Sequence, residues 1–263
     1  MYIRKTPTIT TGSYAVGTKI SYQVPTKDAA ELTIDQGLYS AFQVDDVNKA
    51  QADIELINMF AKDAGLRIAI ATDAEVLTYM ATRAAATNKG ATAGAESASI
   101  NLGLITGVAG SLSVGTANAT GVVGAIDLIV DINQVLDEAD IPSEGRYVVL
   151  PAWFCALLKK GDLKSADITG DTTGVIRNGM IGMVDRTVIY QSNNLFTATD
   201  GDTEKSWYVL AGTKEAATFA SQVDKVDTLP IPDSFGQYWR TLFIYGRAVV
   251  QPTALVNVVC KKA

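Results

Sequence analysis

Histidine is absent from this chain of 263 residues. Chemistry that takes up or delivers a proton near neutral pH usually runs through an imidazole. Its absence excludes Ser-His-Asp and Cys-His nucleophile systems, and most zinc sites with them. Cysteine is nearly absent too. The two present, Cys155 and Cys260, make neither a disulfide framework nor a CxxC pair. Cys155 lies in the apolar run WFCALL and reads as a buried thiol, while Cys260 sits near the end. The opening MYIRKTPT lacks the apolar stretch of a signal peptide, and no apolar run reaches the ~18 residues needed to span a bilayer, so the chain reads as made in the cytosol. Positive charge is in deficit. Twenty-two Lys and Arg against 28 Asp and Glu leave a net charge of −6. A protein that grips phosphates carries a basic face, and none is visible.

What is present is globular: 48% hydrophobic and 19% charged residues, enough for one large domain or two smaller ones. Residues 2–34 alternate and carry turn formers, with Gly12, Gly17 and Pro25, as a long β-hairpin with little core of its own would. Such a hairpin is marginal alone and needs another surface to lie on. Val47, Ala50, Ile54, Ile57, Ala61, Ala64, Ile68 and Ala71 then follow alternating steps of three and four, one narrow apolar seam on a long helix. Asp45 and Asp46 stand at its start, where the helix dipole favours negative charge. Residues 84–121 are rich in Ala, Gly, Ser and Thr and read as a loosely held loop, TNKGATAGAESAS, followed by LGLITGVAGSLSVG, a candidate for short strands. The latter lacks the GK[ST] ending of a phosphate loop.

A second amphipathic helix is expected from about Gly124 to Ala139. LDEADIPSEGRYVVLP (Leu136–Pro151) then reads as helix end, turn, buried strand and new helix start, with Pro142 and Gly145 bracketing the turn. The pattern further predicts a short helix over 152–160, strands over 183–190 and 207–211, a short helix over 214–220, an alternating segment over 223–229 and β-rich sequence over 242–250. Helices between strands of one sheet give an α+β layer.

Candidate chemistry is thin. DTTG (Asp171–Gly174) has the look of an aspartic-protease turn, but that mechanism needs two carboxylates sharing a proton, and a surface turn explains one copy. Asp200, Asp202 and Glu204 fall short of a calcium loop and read as a solvated turn. Asn118-Ala-Thr120 matches a glycosylation acceptor, which has no meaning without secretion. A soluble hydrolase using Asp171, Asp200 and Asp202 has no nucleophile motif behind it. No catalytic, cofactor or metal residue is assigned.

Four segments in order carry a resemblance: AFQVDDVNKAQADI (Ala41–Ile54), the Leu136–Pro151 stretch, GMIGMVDRTVIYQSNN (Gly179–Asn194) with its Tyr-x-Ser-Asn turn, and FASQVDKVDTLPIPDSFGQYWRTLFIYGRAVVQPTAL (Phe219–Leu255). Together they resemble the major capsid proteins of tailed bacteriophages. The resemblance implies an HK97-like α+β capsid fold with a hairpin arm called the E-loop, a long spine helix, and a central axial-domain sheet flanked by helices. It implies an arm over 1–42, a peripheral domain over 43–120 with the spine helix over about 45–85, an axial domain over 121–222, return strands over 223–245 and a C-terminal axial strand over 246–263. Members normally carry an N-terminal segment before the hairpin, and this sequence starts almost at the hairpin's first strand.

The function implied is self-association into pentamers and hexamers of an icosahedral shell, in the virion, assembled in the host cytoplasm. It encloses double-stranded DNA without sequence-specific binding and works with scaffolding and portal proteins, with no membrane, enzyme activity or cofactor. An encapsulin-like compartment shell shares that fold and is the nearest rival. Expected inter-subunit contacts pair Arg4 and Lys5 of the arm with Asp45, Asp46 or Glu55 on a neighbour's helix. Arg240 and Arg247 interrupt a C-terminal apolar run, and each either contacts a neighbour or pairs within its own subunit.

Overall fold

The computed structural model describes residues 2–4, 9–24, 29–46, 56–104, 110–161, 182–200, 204–232 and 234–263. In chain order the strands and helices are β1 (Tyr2–Arg4), β2 (Ala29–Glu31), β3 (Ile34–Asp45), α1 (Leu56–Thr82), β4 (Leu112–Gly115), β5 (Val123–Gly124), α2 (Ala125–Glu138), β6 (Arg146–Leu150), α3 (Ala152–Lys160), β7 (Met183–Val184), β8 (Thr187–Gln191), β9 (Thr197–Asp200), β10 (Glu204–Thr213), β11 (Ala217–Pro230), β12 (Gly236–Val249) and β13 (Leu255–Lys262).

The continuous apolar strands gather in one large mixed sheet, ordered β5-β4-β13-β10-β6-β8-β7, with β9 on β10. β13 is buried over its first six residues and β6 over four of its five, as strands covered on both faces must be. The helices supply the cover. α2 buries Leu128, Ile129, Ile132, Val135 and Leu136 along one stripe, and α3 buries Phe154, Cys155, Leu157 and Leu158. These join Val209, Leu210, Val256 and Val258 in the main core. Lys159 and Lys160 close α3 against the carbonyl end of its dipole. A separate three-stranded antiparallel ribbon, β11-β12-β3, alternates inward and outward, one face toward α1. The arm is a third, two-stranded sheet, β1-β2. This α+β arrangement is the HK97-like capsid fold.

Several sequence expectations need correction. Residues 214–220 are not a helix. A turn closed by the Ala216 amide on the Thr213 carbonyl (3.1 Å) leads straight into β11, where Thr218 and Phe219 pair across to Ala248 and Arg247. A short apolar run has no period of its own, and the ladder decides. The strand over 183–190 is a tight hairpin, β7 and β8, turning at Asp185 and Arg186. The Ala/Gly-rich stretch after α1 is pinned rather than loosely held. Asn88 is fully buried and donates through Nδ2 to the Thr253 and Leu255 carbonyls at 2.6 and 2.9 Å. Gly103, at φ +77°, passes so close under Val259 that a Cβ would strike its carbonyl. Small residues here mean close packing. The seam of α1 also drifts. Ala64 is buried as expected, Ala61 and Ala71 are exposed, and burial passes through Thr72 to Met80, five residues beyond the expected end of the pattern at Glu75. Val47, Ala50 and Ile54 of that seam, the DTTG turn and Asp202 lie outside the described residues. Pro151 sits at the N-cap of α3, one position earlier than expected.

Candidate assembly surfaces

The arm begins where β1 and β2 pair Tyr2 with Glu31, Ile3 with Ala30 and Arg4 with Ala29. Further out, Thr10 stands opposite Gln23 and Ala15 opposite Thr18. Both pairs are joined: the Gln23 carboxamide oxygen accepts from the Thr10 amide and hydroxyl at 3.0 Å, and the Thr18 amide donates to the Ala15 carbonyl at 3.1 Å. The turn between them uses Gly17 at φ +88°. An alternating register then divides the arm. Ile9, Ile20, Tyr22 and Val24 fall on one face with Thr11, Ser13 and Thr18; Tyr14 and Val16 fall on the other with Thr10, Gly12, Lys19, Ser21 and Gln23. Large apolar side chains stand bare on both faces in the isolated chain, with Val16 at 96%, Tyr22 at 91% and Val24 at 86% exposure.

Two further surfaces are apolar and exposed. On α1, Met59, Leu66 and Ile70 form a row on the face turned from the ribbon. On the ribbon's outer face, Tyr39 and Leu242 are cross-strand partners and Tyr238 pairs with Leu229; all four are exposed. Arg240 lies in this face and pairs within its own subunit, its Nη2 2.7 Å from Asp227 Oδ2. That hydrogen bond, followed by the charge of Lys225, holds the Asp227 carboxyl below the usual carboxylate range.

Arg247 is on the inner face and mostly buried, with Nη2 2.6 Å from Glu75 Oε1. The other oxygen of Glu75 accepts from the Tyr245 hydroxyl. Arg247 also lies 4.6 Å from the centre of the Tyr79 ring, which Arg83 approaches to 3.9 Å. Beside this cluster is a cavity of about 130 Å³ lined by Tyr79, Met80, Tyr147, Lys214, Phe219 and Arg247, among others. Burial pushes the Tyr147 phenol up to about 12. Of the other expected contact residues, Arg4 is on β1, Asp45 ends β3, and Asp46 is exposed with its amide 3.2 Å from the Phe235 carbonyl. Lys5 and Glu55 lie outside the described residues.

Sequence reasoning missed Arg146. Its side chain is fully buried, yet it starts β6. Nε donates to the Pro142 carbonyl (3.0 Å), Nη1 to the Asn133 carbonyl (3.4 Å), and Nη2 to the Ile141 carbonyl and to Asp137 Oδ1 (2.6 Å). It thus ties the end of α2 and the following turn to the sheet. Asn133, also buried, accepts from Thr187 and donates to the Asp185 backbone and carboxylate, which holds Asp185 and Arg186 at positive φ in the β7–β8 turn. A charged residue opening an apolar strand just after a Pro-Gly turn was the available signal.

Among the described residues no three His, Cys, Asp or Glu side chains are grouped to hold a metal ion, and no helix is long and apolar enough to cross a membrane. Asp200 ends β9 and Glu204 begins β10, directly paired in the ladder. Cys260 is buried and its thiol is pushed up to about 12, far from thiolate chemistry.

A family model described as "Phage capsid protein" matches residues 31–258. The chain belongs to this family. Solved structures agree. One from Mycobacterium phage Che8 is 28% identical with a TM-score of 0.70, covering 98% of this chain and 83% of that one. The capsid of cyanophage P-SCSP1u is 19% identical with a TM-score of 0.67, covering 100% and 83%. The capsid of a native GTA particle, computed with fivefold symmetry, is 13% identical with a TM-score of 0.63, covering 99% and 84%. No curated protein matches. The chain is therefore a bacteriophage major capsid protein, a structural protein of the virion that self-assembles, and the encapsulin-like alternative is not favoured.

Proposed function

We propose that this capsid protein forms pentamers and hexamers that close an icosahedral head around double-stranded DNA, assembling in the host cytoplasm with scaffolding and portal proteins. The observation that carries this reading is the arm. Its described residues leave large apolar side chains bare, with Val16 at 96%, Tyr22 at 91%, Val24 at 86% and Tyr14 at 68% exposure. Exposed apolar patches of this extent mark a surface that a partner covers. The eight-stranded sheet is assigned to the axial domain and the ribbon with α1 to the peripheral domain, which moves β4 out of the 43–120 range and most of β3 out of the 1–42 range expected from the family, with the arm reaching across the next subunit. Many modest interfaces acting together close the shell, so none has to be tight alone.

The acidic balance, net −6, suits a container that must hold DNA without adhering to it. Arg4 and Lys5, opposite in sign to Asp45, Asp46 and Glu55, are proposed to meet them across the subunit boundary. Electron microscopy of the high-molecular-weight fraction tests the reading: closed particles are expected, and a monodisperse monomer in the presence of scaffolding protein refutes it. Replacing Ile20 and Tyr22 by Asp is expected to abolish particles while the subunit stays folded. Reversing the charges of Arg4 and Lys5 is expected to lower particle yield, and a wild-type yield removes that contact from the proposal.

A further inference from the structure

Two of the chain's crossings between the ribbon and the large sheet meet at one place. β10 leads into β11 and β12 leads out toward β13, and both connections meet at Ala216, whose carbonyl accepts from the Val250 and Gln251 amides at 2.8 and 3.1 Å. Ala216 is fully buried. Next to this crossing lies the cavity of about 130 Å³, walled by all three bodies that meet there: α1 through Val76, Tyr79 and Met80, the large sheet through Tyr147 and Thr213, and the ribbon through Phe219 and Arg247. A cavity at a crossing is room to turn, because packed cores resist deformation and voids do not.

The ribbon itself bends beside this place. β12 runs unbroken, but both of its neighbours carry an extra residue at Tyr245. On β11 the register passes from Ser221–Tyr245 to Val223–Ile244, leaving Gln222 over. On β3 it passes from Gln36–Tyr245 to Ile34–Gly246, leaving Asp35 over. Bulges bend a strand and raise its local twist, and two of them flanking one residue concentrate the bend there. Tyr245 is fully buried, stacked with Phe243 and tilted against Phe219, and its hydroxyl donates to Glu75 on α1. Arg247, two residues on and on the same face, takes the second oxygen of that carboxylate at 2.6 Å. One helix carboxylate therefore holds the ribbon at its bend by two bonds. α1 in turn packs on β10 and β13 of the large sheet as well as on β3 and β12. Among the described residues the buried Arg247 Nε meets no hydrogen-bond partner. The guanidinium is committed to Glu75 and to the Tyr79 ring, and its third donor direction is left unused in this arrangement.

We propose that the ribbon and the large sheet pivot about Ala216, and that the Glu75 clamp on Tyr245 and Arg247 sets their angle and so the curvature of the shell the subunits build. The inference rests on the shell-forming reading above. It makes Glu75 a positioning residue for assembly: five- and sixfold rings from one sequence need subunits whose two sheets sit at slightly different angles, and a two-bond clamp beside a cavity restricts that range without abolishing it.

The test is Glu75→Gln, which keeps the shape but replaces the charge-assisted pair with Arg247 by a neutral contact. Assembly uses the full chain with its scaffolding protein, and particle diameters are measured by cryo-electron microscopy alongside thermal melts of the unassembled subunit. Wild type giving no particles refutes the shell-forming reading itself and is thereby told apart from failure of the clamp. With wild type giving one diameter, the expected result for the variant is a folded subunit whose particles are broadened in diameter or include open and tubular forms. Particles of wild-type diameter and uniformity overturn the proposal. Should Glu75→Gln fail to fold, Tyr245→Phe removes the hydroxyl bond alone and is read in the same way. A merely structural role for the clamp shifts the melt and leaves the diameter distribution where it was.

Discussion

Removing Asp137 is expected to destabilise the subunit through a residue that solvent never reaches. Asp137 is about half exposed, yet Arg146, whose guanidinium it meets at 2.6 Å, is fully buried. Stripping one partner from a buried ion pair costs about 3–5 kcal/mol, because the other charge is left uncompensated. Two features temper this here. Arg146 keeps the Pro142, Ile141 and Asn133 carbonyls, and water can enter on the Asp137 side. We therefore expect about 3 kcal/mol for Asp137→Ala, within that range and at its lower end.

Arg146→Met fills most of the same volume but strands those carbonyls, at roughly 1–3 kcal/mol for each buried acceptor left unpaired, so about 3 kcal/mol is expected for it as well. Once Arg146 is gone there is no buried charge left for Asp137 to serve. The double variant should then cost much less than the two singles added, with a coupling on the order of 2 kcal/mol. Urea unfolding of the unassembled subunit measures this. With a slope of roughly 3 kcal/mol per molar for a chain of this size, each single variant lowers the midpoint by about 1 M. Additive losses in the double variant refute the reasoning.

The pH dependence gives a second check on the same pair. Burial pushes the Asp137 carboxyl up, but hydrogen bonds and charge from Arg146 and then Arg186 outweigh it and hold the carboxyl below its ordinary value. Its stabilisation is present above the unfolded carboxylate range and is lost as the pH falls through the depressed folded value. Arg146→Met should flatten that acid loss.

Glu138, at the end of α2, accepts from the Ser97 and Glu96 amides at 3.0 Å, and these bonds with those from Ser97 Oγ and Gln134 hold its carboxyl down to about 2. The clasp is therefore expected to persist through mild acid and open only near that value, and Glu138→Gln should speed hydrogen exchange at Glu96 and Ser97 at neutral pH without altering the exchange of β10. Burial lifts the Cys260 thiol to about 12, so a thiol reagent at pH 8 is expected to label it only after unfolding; rapid labelling of the native subunit contradicts its placement in β13. Asn88→Ala removes both donors to the Thr253 and Leu255 carbonyls and is expected to cost roughly 2–3 kcal/mol in thermal or urea unfolding.

Periodicity exposed the parts of this fold that are driven by local pattern. The Arg146–Leu150 strand, the α2 stripe and the α3 helix were legible because each buries a face that its own residues define. Contacts far apart in sequence were not legible. Whether 214–220 coils or extends depends on β12, some thirty residues later, offering a ladder at Ala248 and Val249. Whether a Gly- and Ala-rich stretch floats or packs depends on Asn88 finding carbonyls at Thr253 and Leu255.

The arginines show the same limit from the other side. Arg240 and Arg247 stood out because they interrupt an apolar run, but the run could not say that one faces outward to Asp227 and the other inward to Glu75. Both lie on β12, which runs unbroken, so their separation by seven positions puts them on opposite faces, and which carboxylate each meets is decided by β11 and α1 packed against it. The arm is the opposite case. Its tip turns at Gly17 and is joined through Gln23, and its large apolar side chains meet no partner among the described residues. A chain that defines its own core locally and its boundary surfaces incompletely is what a subunit built to be completed by its copies requires. The residues hardest to assign from sequence are accordingly those whose second partner lies far along the chain or on another copy.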